Sequence, residues 1–152
     1  VADHLDPADP LFYQKLMTRN AILAAYNGPV TLYYGDEYAD LSRDTHGGQK
    51  DNIARTSGHL DARTPGEKAL KDYIGRVMTF RRDNPAMWGG EPYFRRYRTP
   101  SGSDVLEIVK TDKASGNRVR IVFSTGDESL LWPAEGRRAE VKAWVPFFEK
   151  LD

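Results

Sequence analysis

The chain is organised around one short stretch, Gly28-Pro29-Val30-Thr31-Leu32-Tyr33-Tyr34-Gly35-Asp36-Glu37. A run of β-branched and aromatic residues lies at its centre, a Gly-Pro pair precedes the run, and two adjacent carboxylates follow it. Apolar runs of about 4 to 8 residues without alternation are typical of a strand covered on both faces, as in a parallel α/β sheet. The stretch therefore predicts a tight turn, a buried strand at residues 30–34 and a functional loop.

A helix is predicted before this strand. Asp9-Pro10 is a helix start, because Asp caps free amides and Pro fits the first turn. The apolar residues that follow keep to one face of a 3.6-residue period, which predicts a buried side: Phe12, Leu16, Leu23 and Tyr26. Asn27-Gly28-Pro29 ends the helix, since Gly enters the left-handed region freely and Pro cannot continue a helix.

A second helix is predicted after a long polar connection. Thr64-Pro65-Gly66-Glu67 is a capping box with Pro at the first helical position, and Asn84-Pro85 stops the helix near Asp83. Residues 36–63 are polar and have no sustained period. A connection that long is usually functional or disordered, and here we expect it to be functional.

The residue pattern changes after Trp88-Gly89-Gly90 from helical periodicity to short β-rich segments, which predicts a domain boundary there. Short β-rich segments separated by Gly, Pro, Ser and Asn turns are typical of antiparallel strands. They lie at residues 93–97, 105–110, 119–123, 130–132 and 139–145. The last one alternates most clearly, with Val141, Ala143 and Val145 on one side, as in a half-buried strand of a small sandwich.

Bulk properties exclude several classes of protein. The 152 residues include 22 Lys and Arg against 22 Asp and Glu, so no nucleic acid or anionic membrane is predicted as a partner. The absence of cysteine excludes a disulfide scaffold and a thiol nucleophile. No apolar run approaches the ~18 residues of a membrane span. Val1 opens the chain without an initiator Met or a signal peptide, which indicates a piece of something longer and leaves the compartment open.

The chemistry-bearing residues are few. There is no glycine-rich phosphate loop and no pair of His residues spaced for zinc. Asp36 and Glu37 follow the predicted strand directly, where parallel α/β folds carry their ligand-facing loops. Adjacent carboxylates point in different directions, so they do not form a facing catalytic pair. Two interpretations stay open. In the first, one of the carboxylates holds the loop in place by hydrogen bonds; in the second, it contacts a substrate directly.

Three motifs resemble α-amylase-type enzymes of glycoside hydrolase family 13. Residues 28–37 look like the segment around that family's eighth barrel strand, and Asp51-Asn52-Ile53-Ala54-Arg55-Thr56 resembles the Asn/Arg-Thr element of the following loop. Residues 70–88 are similar to its final barrel helix, which commonly ends in an R-x-x-N-P-A phrase, here within Met78-Thr79-Phe80-Arg81-Arg82-Asp83-Asn84-Pro85-Ala86. Residues 91–152 stand where the family has its C-terminal β-sandwich.

The resemblance implies an α/β plus all-β chain. Residues 1–89 would be the C-terminal segment of a (β/α)8 barrel, and residues 90–152 a small antiparallel β-sandwich domain. The family cleaves or transfers α-glucosidic bonds with retention, through an Asp nucleophile and a Glu acid/base whose carboxyls lie about 5 to 5.5 Å apart. Those two residues follow the fourth and fifth strands, which this chain does not contain. No catalytic residue is therefore predicted here, and the isolated chain is expected to be inactive.

The resemblance also implies substrate-binding residues and partners. In exo-acting members the Arg equivalent to Arg55 pairs with an acidic residue and closes the glucose pocket. His4, within Asp3-His4-Leu5-Asp6, stands about where the family has a substrate-contacting His, although Leu5 interrupts the family's His-Asp pair. Asp36 and Glu37 would lie at the rim of the same site. The partners would be an α-glucan or oligosaccharide and the missing N-terminal barrel portion; no cofactor is predicted, and a calcium ion in the parent enzyme has no identifiable ligand set here.

A second hypothesis from another class stays open. The chain would be a non-catalytic α+β module that binds carbohydrate or protein through aromatic side chains. Trp88, Trp132 and Trp144 are candidates either for sugar contact or for packing. Tyr33 and Tyr34 are interpreted as packing residues of the barrel.

Overall fold

The computed structural model describes residues 5–39, 61–126, 130–134 and 137–152, with the backbone alone for 130–134 and 137–139. Helix α1 spans Phe12–Ala25, a 3-10 turn spans Asp36–Tyr38, and helices α2 and α3 span Pro65–Asp83 and Pro85–Gly89. Six strands follow: β1 Glu91–Arg98, β2 Asp104–Thr111, β3 Arg118–Ser124, β4 Leu130–Ala134, β5 Arg137–Val141 and β6 Phe147–Leu151. No helix in these described ranges is long and apolar enough to cross a membrane.

The strands form one main antiparallel sheet and one small ladder. The main sheet has the order β1-β2-β3-β6, and β4 pairs with β5 separately. One face of the main sheet contributes Ile108, Val119 and Ile121 to a single core with α1, α2 and α3. On the opposite face, Val105 and Val122 pack with residues of β5 and β6. The main sheet therefore lies between a helical layer and a two-stranded ladder. The predicted antiparallel strands are confirmed. Among the described residues, the second layer of the predicted sandwich has only two strands.

The second helix begins and ends where its local sequence predicts. The Thr64 hydroxyl accepts a hydrogen bond from the Glu67 amide at 3.1 Å, and the Glu67 carboxylate accepts one from the Thr64 amide at 3.2 Å. This reciprocal pairing satisfies amides at the helix start that have no partner within the helix. At the other end Asn84 is extended, with φ −128° and ψ 99°, because the following Pro85 disfavours the helical region.

The predicted strand at residues 30–34 is not present. The structure has no strand assignment there, and Tyr33 and Tyr34 are each 49% exposed. A strand exists only where a neighbour completes its ladder of backbone hydrogen bonds. Among the described residues no other strand lies beside this stretch, so it continues as irregular chain. The predicted barrel segment, residues 1–89, accordingly has no β-sheet among its described residues.

The predicted strand at residues 139–145 is wrong in its second half. Strand β5 ends at Val141, and Lys142 and Val145 form an isolated bridge around a tight turn. Trp144 has a φ of 56° in that turn, a value that ordinary residues rarely adopt. The chain then re-enters the main sheet as β6, which pairs with β3 and which the sequence analysis missed. The alternation of Val141, Ala143 and Val145 therefore crosses a turn rather than following one strand.

Two buried cations join the helical layer to the main sheet. Arg81 of α2 is 8% exposed, and its guanidinium donates to the carbonyl oxygens of Ala24 at 2.6 Å, Tyr26 at 2.8 Å and Met87 at 3.3 Å, and to that of Gly28. Lys110 of β2 is 1% exposed, and its ammonium donates to the carbonyl oxygens of Ala25 and Met87 and to the Asn27 side chain. The last carbonyls of a helix have no partner within it and carry partial negative charge. The two cations therefore satisfy the end of α1.

The two cations also repel each other. Burial, and to a lesser extent the nearby Arg81 charge, lower the pKa of Lys110 to about 8. Burial likewise lowers the pKa of Arg81. Neither side chain forms an ion pair with a carboxylate in the described ranges, so backbone and amide oxygens are the groups that compensate both charges.

Removing the Arg81 charge tests this arrangement. We expect Arg81→Leu to lower the free energy of unfolding by about 3 kcal/mol, because several buried carbonyl oxygens lose their donor. The adjacent Arg82 is exposed, and Asp83 is its only ion-pair partner in the described part of the chain, so Arg82→Leu should change stability by about 0.5 kcal/mol or less. Urea unfolding of both variants measures the difference, and equal midpoints would contradict the role given to Arg81.

Candidate functional site

The two carboxylates of the opening stretch lie in one short turn, which we call the acidic turn and define as residues 33–38. Gly35 has a φ of 88°, a left-handed conformation that glycine adopts without strain, and it starts the 3-10 turn at Asp36. The Tyr38 amide donates to the Gly35 carbonyl at 3.0 Å, and the Tyr38 side chain is buried. The turn thus anchors one aromatic ring in the core and leaves its carboxylates at the surface.

Asp36 is tied to helix α1. Its carboxylate lies 3.0 Å from the Arg19 guanidinium, with side-chain exposures of 20% and 28%. The partners are seventeen positions apart in the sequence, so the ion pair exists only once the chain has turned at Gly28. Asp36 therefore pins the acidic turn, which is one of the two roles left open by the sequence.

Tyr38 ties the same turn to helix α2. The Lys71 ammonium donates to the Tyr38 hydroxyl at 2.9 Å and lies 5.1 Å from the centre of its ring. This hydrogen bond raises the pKa of Lys71 above its ordinary value. With Asp36 held by α1 and Tyr38 by α2, the backbone of the turn is fixed on both sides.

Glu37 is the carboxylate that the turn presents outward. Its side chain is partly exposed and forms no ion pair with a residue in the described ranges. The rings of Tyr33 and Tyr34 lie beside it along the chain, 4.5 Å apart and both half-exposed. A carboxylate accepts hydrogen bonds from hydroxyl groups, and a tyrosine offers an apolar face with a polar tip. The acidic turn therefore has the groups needed to bind a polyhydroxylated ligand.

The acidic turn does not contain the machinery for retaining glycoside cleavage. That chemistry requires two carboxyls about 5 to 5.5 Å apart, one acting as nucleophile and the other as acid and base. Here Asp36 is engaged by Arg19, and Glu37 is the neighbouring residue rather than a facing one. Across the described part of the chain, no group of three or more His, Asp or Glu side chains is arranged to hold a metal ion.

The other predicted site residues lie partly outside the described ranges. His4 and Arg55 lie outside the described residues, so their roles stay predictions. Asp6, near His4, uses its carboxylate to accept the Ala8 amide at 2.9 Å in a local turn. Trp88 is 47% exposed, and the Trp132 side chain is outside the description.

The sequence does not identify Arg19 as the partner of Asp36, because nothing local distinguishes one arginine of the first helix as an ion-pair partner. Tyr33 and Tyr34 were predicted to be packing residues of the barrel, whereas both rings are half-exposed in the described structure.

Two crystal structures share this fold. One is AmyP in complex with maltose, with a TM-score of 0.69 at 20% identity, and the other is a variant of AmyP in complex with maltotriose, with a TM-score of 0.67 at 21% identity. Each alignment covers 95% of this chain but only 36% of the AmyP chain, so the chain spans little more than a third of those proteins. No protein-family model matches the sequence, and no curated protein matches it. Likeness at this level of identity establishes the fold alone.

The pinning role of Asp36 is tested by a double-mutant cycle with Arg19. We expect Arg19→Ala and Asp36→Asn each to destabilise the chain, with a coupling energy of about 0.5 to 1 kcal/mol because the ion pair is partly exposed. Urea unfolding of the two single variants and the double variant measures the coupling. Glu37→Gln is the matched control and should show no coupling to Arg19. A coupling of Arg19 to Glu37 as large as that to Asp36 would reject the assignment.

Proposed function

We propose that this chain is the C-terminal part of an α-glucan-active glycoside hydrolase or transglycosylase that acts on α-glucosidic bonds with retention. The observation that carries the proposal is the match of 95% of the chain to AmyP structures determined with maltose and maltotriose. The order of the motifs at residues 28–37, 51–56 and 78–86 supports the same assignment independently of the fold.

In this proposal the chain supplies binding groups rather than catalytic ones. Glu37 accepts hydrogen bonds from sugar hydroxyls at the rim of the glucan site, and Asp36 is a positioning residue that holds the rim through Arg19. Arg55 pairs with an acidic residue and closes the glucose pocket, with the bidentate geometry that guanidinium offers to a carboxylate. His4 contacts the sugar in the same site. The nucleophile and the acid/base belong to the portion of the enzyme that precedes this chain.

Residues 90–152 contribute stability in this proposal. Lys110 reaches from β2 to the end of α1, and both Lys110 and Arg81 donate to the Met87 carbonyl. The same core cluster contains residues of the helices and of the main sheet. This shared core supports the proposal that residues 90–152 stabilise the helices of residues 1–89.

A binding module without catalytic function is the second candidate. The observation that favours it is the exposure of every residue of β1, including Tyr93, Phe94 and Tyr97. A module of this kind would bind carbohydrate or protein without the missing barrel strands. The two candidates predict different outcomes for the longer protein that contains this chain: the first predicts cleavage of an α-glucan, and the second predicts binding without cleavage.

The isolated 152-residue chain is expected to release no reducing sugar from maltooligosaccharides, because it lacks the carboxyl pair of the retaining mechanism. The assay compares it, at equal molar concentration, with the longer protein that contains it. Turnover by the longer protein alone supports the proposal. Turnover by the isolated chain, or inactivity of a folded longer protein toward every α-glucan tested, would contradict it.

Replacement of Arg55 tests the pocket-closing role within the longer protein. We expect Arg55→Ala to lower kcat/KM for short maltooligosaccharides about tenfold, the effect of losing one charge-assisted interaction. Arg63→Ala is the matched control, since Arg63 is an exposed arginine of the same connection. An unchanged kcat/KM in Arg55→Ala would remove this residue from the site.

A further inference from the structure

The turn that follows α1 contains an Asn-Gly pair, Asn27-Gly28, which occurs once in the sequence. Asparagine followed by glycine is the pair most prone to deamidation. Glycine has no side chain to hinder attack on the asparagine amide, and its backbone adopts the required conformations freely. Gly28 has a φ of 85°, in the left-handed region that favours glycine. The turn therefore uses a pair of residues that is chemically labile.

Deamidation consumes two groups of this pair. The Gly28 backbone nitrogen attacks the side-chain carbonyl carbon of Asn27, and a C–N bond forms. The proton of that nitrogen passes to the departing Nδ2, which leaves as ammonia, so that a five-membered succinimide ring remains. One water molecule then opens the ring at either carbonyl, to aspartate or to isoaspartate. The groups that must change are thus the Gly28 N–H and the Asn27 Nδ2.

Both groups donate hydrogen bonds in the folded chain. The Gly28 amide donates to the Trp88 carbonyl at 2.8 Å, and the Asn27 Nδ2 donates to the Gly90 carbonyl at 3.3 Å. Both bonds are lost on the way to the succinimide, because one donor gives up its proton and the other leaves the molecule. The fold therefore stabilises the intact pair through contacts that the succinimide does not keep.

The side-chain oxygen of Asn27 is held from the sheet by Lys110. The Lys110 ammonium donates to Oδ1 of Asn27 at 2.6 Å, and it also donates to the carbonyl oxygens of Ala25 and Met87. Lys110 is 1% exposed, so these three acceptors fix its position. Rotation of the Asn27 amide away from this ammonium removes an acceptor from a buried charge, which costs more than the loss of a bond between neutral groups.

We propose that Asn27-Gly28 is a deamidation site that the folded chain protects, with Lys110 as the positioning residue for the Asn27 side chain. The protecting oxygens belong to Trp88 in α3 and to Gly90 after it, whereas Lys110 belongs to β2. Protection therefore requires that the helices and the main sheet are packed together. Opening of this junction exposes the pair to an irreversible change, which places a carboxylate beside Lys110. This site does not depend on the proposed function.

Rates of deamidation in the 152-residue chain test the proposal. The chain is incubated at mildly alkaline pH, in native buffer and in guanidinium chloride above its unfolding midpoint. Mass spectrometry of the tryptic peptide measures conversion at Asn27, and fragment ions separate it from Asn20 of the same peptide. We expect the native chain to react about a hundredfold more slowly than the unfolded chain, as for the loss of two neutral hydrogen bonds and one to a charged group.

Lys110→Met tests the contact from the sheet. We expect it to speed deamidation at Asn27 about tenfold in native buffer, the factor for one lost charge-assisted hydrogen bond. Val122→Ala is the control, because Val122 is equally buried but packs with Val105 and Val141 on the face of the main sheet opposite the helices. It should speed the reaction at Asn27 less than Lys110→Met does. Urea unfolding measures how far each variant is destabilised.

Three results would overturn the proposal: equal rates at Asn27 in the native and the unfolded chain, an unchanged or slower rate in Lys110→Met, or an equal acceleration in Val122→Ala. A slower rate in Lys110→Met would mean that the ammonium assists the attack by stabilising the developing oxyanion. The comparison of native with unfolded wild type requires no variant, so it decides on the protection also where Lys110→Met does not fold.

Discussion

The arrangement of this protein depends on two cations buried against the carbonyl end of a helix. Arg81 and Lys110 come from different layers, and both donate to oxygens around the end of α1 and to the Met87 carbonyl of α3. A helix that ends in the interior needs donors for its last carbonyls, because an unsatisfied buried oxygen costs about 1 to 3 kcal/mol. The same two side chains therefore cap α1 and join the helices to the sheet.

The position of the candidate site follows from that capped helix end. Gly28 turns the chain back with a φ of 85°, and its carbonyl is itself a partner of Arg81. From there the irregular segment returns along α1 until Arg19 binds Asp36, while Lys71 binds Tyr38 from α2. The acidic turn is thus held by both helices, with the Asp36 carboxylate used for support and, in the function we propose, the Glu37 carboxylate directed to the ligand.

Charge is used differently on the other side of the molecule. Around the helix end the cations are compensated by neutral oxygens, while burial lowers the pKa of Lys110 to about 8. On the face of the main sheet opposite the helices, Arg95, Arg120, Glu107 and Glu149 form an alternating network instead. In the first arrangement neutral oxygens compensate buried charges, whereas in the second the charges compensate one another.

The sequence by itself determined the features whose causes are local. The capping box of α2, its end before Pro85, the turn at Gly28 and the positions of β1, β2 and β3 follow from residues within a few positions of one another. Tertiary structure alone decided the absence of a strand at residues 30–34, the turn at Trp144 and the return of the chain as β6. Tertiary structure also decided that Arg19 forms the ion pair with Asp36 and that Lys110 donates to the carbonyl of Ala25, at a helix end 85 residues earlier. The physical reason is that a cap is completed by its own neighbours, whereas a strand, an ion pair or a buried charge requires partners that only the folded chain brings together.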